Sequence, residues 1–83
     1  MLNAKEIYLN IKKFSCLSKQ HDFIYTKFLE VVEIDQKEIL NEVIEMIVKN
    51  SKNFHISIFC TLRVCCKIFK LSYNIDILDK IIE

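Results

Sequence analysis

Four cysteines, two histidines and one spaced set of cations are the side chains of this 83-residue chain with chemistry to offer. Cys60, Cys65 and Cys66 fall close together, and Cys16 lies far upstream. Structural zinc is held by ligand pairs two to four residues apart, usually two such pairs closing a tetrahedron. Cys60 and Cys65 form one loose pair, and no second pair exists to match it. His21 and His55 could complete a ligand set only if the fold happened to bring them in. No metal and no cofactor are expected. Cys60 and one of Cys65 and Cys66 read instead as small buried hydrophobes.

His21 and Asp22 are adjacent, with Ser15 and Ser18 nearby. A nucleophile needs a base within hydrogen-bond reach and a third group to orient that base. This cluster reads more simply as an exposed histidine beside a helix-capping aspartate. His55 reads as a capping or partly buried polar group. Glu42 with Glu45, and Asp76 with Asp79, sit where solvated helix faces would put them. Phosphate-cradling loops need glycine for close backbone approach, and the chain has none. The expectation is a protein that is not an enzyme, with no small-molecule substrate in view.

The cations are more suggestive. Arg63, Lys67 and Lys70 follow a spacing of four then three, which is one helix face, and Lys52 lies upstream. Such a stripe could grip a few phosphates of RNA or DNA without reading sequence. A recognition helix, however, carries a broad polar face of Arg, Asn and Gln, whereas these cations stand in an apolar stretch. Snorkelling lysines on the rim of a packed helix are the plainer reading. Nucleic-acid contact through Lys52, Arg63, Lys67 and Lys70 is therefore the alternative.

The elements that must carry these residues are helices. Asn3 with Glu6 makes a capping box, and Ala4, Ile7, Tyr8, Ile11 and Phe14 recur at helical spacing over residues 4–17. Residues 18–21 form a polar break, and Asp22 is placed to cap a second helix ending near Ile34, with Tyr25, Phe28, Leu29 and Val32 as its stripe. Asp35 with Glu38 forms another capping box before a third helix over residues 36–49, whose inner side is Ile39, Leu40, Val43, Ile44, Ile47 and Val48. Residues 50–53 form a loop. Residues 54–71 are apolar nearly all round, which predicts a central helix; a strand over 54–60 is the rival. Asn74 caps a short final helix carrying Ile77, Leu78, Ile81 and Ile82. The fold expected is all-α, one domain over residues 1–83, a bundle or short antiparallel array of four to five helices.

Composition supports this. Glycine, proline and tryptophan are absent, which disfavours hairpins and left-handed turns. The dominance of Ile and Lys also fits an AT-rich genome. The net charge of +1 exerts no overall pull on polyanions. No apolar run is long enough to span a membrane, and the first residues lack a signal-peptide pattern. An intracellular, cytoplasmic setting with reduced cysteines is expected.

The apolar share is 52%, yet a chain this short buries only roughly 60–65% of its unfolded surface. Phe23, Ile24, Val31, Leu9, Leu2 and Tyr73 fall off the main stripes. The surplus points to another protein or self-association as partner, with Phe23, Ile24, Val31 and Tyr73 as the contact residues. A helical interaction module, acting as subunit, adaptor or inhibitor, is the function expected.

Overall fold

In the computed structural model, which describes residues 3–71 and 75–83, the chain opens with the predicted cap. The Glu6 backbone N–H donates to Asn3 Oδ1 at 2.9 Å, satisfying one of the donors a helix start leaves free. Helix α1 runs Ala4–Lys13 and buries Ala4, Ile7, Tyr8 and Ile11. It stops four residues earlier than expected. The Phe14 backbone is extended, its ring packs on Phe23 with centroids 5.4 Å apart, and the freed Ile11 carbonyl accepts from Gln20 Nε2 at 3.1 Å.

Helix α2, Leu17–Glu33, therefore has Cys16 rather than Asp22 at its N-cap position. Residues 18–21 are not a break; they are helical, and His21 uses its ring across to a neighbouring helix. The core stripe of α2 is Ile24, Phe28 and Val31, all at 0% exposure. Tyr25 and Leu29, expected inside, are exposed. With apolar residues on almost every side of α2, only its neighbours decide which stripe turns inward. Ile24 and Val31 are thus core residues, and their burial removes them as contact residues for a partner.

Two helix ends take a left-handed residue without glycine. Asp35 has φ 59°; its N–H donates to the Val32 carbonyl at 3.0 Å, and the Gln36 N–H donates to the Val31 carbonyl at 3.1 Å. Lys70 has φ 59°, and the Leu71 N–H reaches the Cys66 carbonyl at 2.8 Å. These are Schellman-type ends, usually built on glycine. The Asp35–Glu38 capping box does not form, because Asp35 terminates α2 instead of starting the next helix.

Helix α3, Lys37–Lys49, turns Leu40, Val43, Ile44 and Ile47 inward as expected. The loop at 50–53 is a 3-10 turn over Ser51–Asn53, and Phe54 after it meets Tyr8 at 6.0 Å. Helix α4 runs Ile56–Phe69, capped by His55, whose Nδ1 accepts from the Ser57 N–H at 3.1 Å. Among the described residues there is no strand. Helix α5, Ile75–Ile82, buries Leu78 and leaves Ile77 exposed. The Asn74 cap, Leu2 and Tyr73 lie outside the described residues.

The architecture is all-α. Helix α1 pairs with α3, α4 pairs with α5, and α2 joins the pairs by packing on α1, α3 and α4. The central helix is α2, not α4. One core runs through all five helices, from Ile11 through Phe28, Ile44 and Leu62 to Leu78.

Candidate interaction face

Residues four apart on an α-helix lie in nearly one line. On α4 that line is Ile56, Cys60, Val64 and Ile68. Ile56 is 48% exposed, Val64 52% and Ile68 50%, and Cys60 is exposed as well. The other side of the same helix carries Ile58, Phe59, Leu62, Cys65, Cys66 and Phe69 into the core. At about 100° per residue the buried set and the exposed row face opposite ways. Helix α4 is apolar nearly all round, but its neighbours α2 and α5 cover one side only. The exposed row is about 18 Å long, and exposed Lys67 falls within its arc.

On the α2 side, exposed Tyr25 sets its ring 5.8 Å from that of Phe69, and exposed Leu29 follows one turn on. The seam between the first half of α2 and the first half of α4 is polar. Half-buried His21 bonds Thr61 Oγ1 through Nδ1 and lies 3.1 Å from Ser57 Oγ through Nε2. Ser57 Oγ is also 2.8 Å from His55 Nδ1. Because Nδ1 of His55 accepts the Ser57 N–H, its own ring proton sits on Nε2 in the neutral form.

A serine beside an imidazole is the start of a nucleophilic site. Here the second nitrogen of His21 is held by a hydroxyl rather than a carboxylate, and exposed Asp22 takes no part in the bonds described. The N–H of Ser57 is already spent on His55, so it offers no free donor to an oxyanion. The four side chains tie α2 to the start of α4. No group of three His, Cys, Asp or Glu among the described residues is arranged to hold a metal ion.

Arg63 and Lys67 stand four apart on α4, as their spacing predicted, but the four cations differ in setting. Arg63 Nε donates to Asp79 Oδ1 at 2.5 Å, joining α4 to α5. Lys52 stands in the 3-10 turn before α4 and Lys70 at its far end, separated by a helix about 20 Å long. Lys67 and Lys70 are exposed at the C-terminal half of the apolar row.

The cysteines divide by environment. Cys65 and Cys66 are both buried, which two neighbouring helices on one side of α4 suffice to achieve. Burial pushes the Cys65 thiol up to about 12, with the neighbouring Cys66 adding to the rise. Burial pushes Cys66 up to about 11, against an opposing pull from Arg63. Cys60, expected inside, lies on the open row. Exposed Cys16 is shifted downward by its bond to the Ser18 hydroxyl, then by the first N–H groups of α2.

Of the expected contact residues, Phe23 is half-buried, packed on Phe14 beneath Lys27 Nζ at 5.7 Å from its ring. It lines a shallow pocket of about 310 Å³ with Lys19, Asp22 and Thr26. Leu9 is exposed as expected, at the outer side of α1. The row on α4 is the feature that sequence reasoning missed, although its four-residue spacing is written in the sequence. The His21–Ser57–Thr61 seam spans 36 and 40 residues of chain, so no local pattern could reveal it. No described helix is long and apolar enough to cross a membrane. No protein-family model, curated protein or solved structure matches the chain.

Proposed function

We propose that this protein is a non-enzymatic interaction module that binds another protein through the outer face of α4. One observation carries the reading: Ile56, Cys60, Val64 and Ile68 stand exposed on four successive turns. Water is a poor neighbour for such a row, and covering it gains free energy in proportion to the apolar area removed. Helix-in-groove recognition uses side chains at this spacing as anchors. The row is also rigid. Its backbone is fixed by the core on the other side of α4 and by the hydroxyl–imidazole seam to α2, so little ordering entropy opposes binding.

The test is affinity capture from the source cells with wild type and with Val64→Asp, followed by identification of the captured proteins. A defined protein held by wild type and lost by at least about thirtyfold with Val64→Asp is expected. The helical circular dichroism of the variant should be unchanged, because Val64 lies outside the core. Equal capture by both chains would overturn the reading.

A further inference from the structure

The surroundings of the α4 row say what kind of surface would cover it. Residues 51–71 contain Lys52, Arg63, Lys67 and Lys70 and no acidic residue. Arg63 is spent on Asp79. Lys67 and Lys70 are exposed, and among the described residues neither has a carboxylate within ion-pair reach. Helix α4 therefore presents to solvent an apolar row with two unpaired cations, Lys67 and Lys70, and no carboxylate of its own. Building on the reading of α4 as the partner face, we infer that its occupant is an acidic amphipathic helix of another protein. That helix carries an apolar ridge for Ile56, Val64 and Ile68, with Glu or Asp flanking the ridge opposite Lys67 and Lys70.

The geometry favours a helix. Rows at four-residue spacing are the ridges that interdigitate when two helices pack. Small Cys60 and Val64 leave the middle of the row low enough for a facing backbone to approach. The charge disfavours a second copy of this chain. Two α4 faces meeting about a two-fold axis would bring together two helices that each carry cations and no acid of their own, and like charges across an interface cost affinity. The acids on α3 are no substitute. Glu38 and Glu42 are exposed there while Leu40, Val43, Ile44 and Ile47 are turned into the core, so α3 offers carboxylates without a ridge.

Two stapled helical peptides test this, with the same leucine ridge and either Glu or Lys at the flanking positions. Their binding to the full chain is read by fluorescence anisotropy at low and high salt. The Glu peptide should bind at least about tenfold tighter than the Lys peptide, and salt should narrow the gap. Lys67→Glu should shrink or invert the preference, and Val64→Asp should abolish binding of both. Equal binding of the two peptides would overturn the acidic occupant while leaving α4 as an apolar partner face. Failure of both peptides would overturn the helical occupant, and the capture experiment with Val64→Asp then decides separately whether α4 binds a protein at all. Concentration-dependent dimer mass lost in Val64→Asp would assign the face to a second copy. Binding to phosphatidylserine vesicles lost in the same variant would assign it to a lipid surface. Either result would sink the proposal.

Discussion

Helices α3 and α4 are of similar length, yet they meet water in opposite ways. Helix α3 turns Leu40, Val43, Ile44 and Ile47 inward and shows Glu38 and Glu42 to solvent. Helix α4 turns a comparable set inward and shows Ile56, Cys60, Val64 and Ile68. The first helix is finished by this fold; the second has a side the fold leaves open. The difference teaches that apolar content alone does not place a helix at the centre. A helix apolar on nearly all sides is covered only where neighbours exist, and α4 has them on one flank.

The comparison breaks most sharply under substitution of one isoleucine in each region. Ile47→Ala in α3 removes a fully buried side chain and should cost about 2–5 kcal/mol. Ile68→Ala on the open row of α4 should change stability by less than about 0.5 kcal/mol. Urea melts of the two variants check this, and a large loss from Ile68→Ala would mean that the row is packed rather than open.

Next comes the buried side of α4, which carries two thiols where α3 carries none. Cys65 and Cys66 hold their protons to about 12 and about 11 in the folded chain, against an ordinary value of 9.0. The unfolded chain releases those protons first. Stability is therefore full below pH 9 and falls as pH rises from there toward 11–12, by about 1 kcal/mol per thiol at pH 10. Denaturant midpoints at pH 8 and pH 10 measure the loss. The double variant Cys65→Val, Cys66→Val should show a shallower fall, and an unchanged slope would count against the burial of the pair.

The smallest effect concerns the end of α4. Lys70 sits at φ 59°, where a side chain crowds the carbonyl and glycine does not. Lys70→Gly should raise stability by about 1 kcal/mol, read as a higher midpoint. Asp35→Gly at the end of α2 should gain less, since aspartate tolerates this conformation better than lysine. Equal gains would show that the two turns are strained alike.

Much of the fold was legible because several local signals agreed. Asn3 caps α1 as its spacing to Glu6 foretold, and the inner side of α3 is the one its pattern named. The α1–α2 junction was misread because Ser18, Lys19, Gln20 and His21 look like a loop in isolation. They are a helix whose polar side is occupied: Gln20 bonds the Ile11 carbonyl and His21 bonds Ser57 and Thr61. In α2, apolar residues at 23, 24, 25, 28, 29, 31 and 32 fit more than one inward stripe, so Ile24 and Val31 could be placed only by tertiary contact. The open row of α4 was spelled out at four-residue intervals, but the choice of which side stays uncovered belongs to the arrangement of α2 and α5.

The left-handed lysine at the close of α4 has a further meaning for anyone engineering this molecule. Comfort of the backbone and charge at the rim are coupled at one position. Relaxing the turn with glycine deletes a cation beside the open row, and keeping the cation keeps the turn uneasy. Under the proposed acidic occupant, a sturdier variant made there is expected to be a poorer binder, so that proposal ties thermal hardening to partner recognition at residue 70.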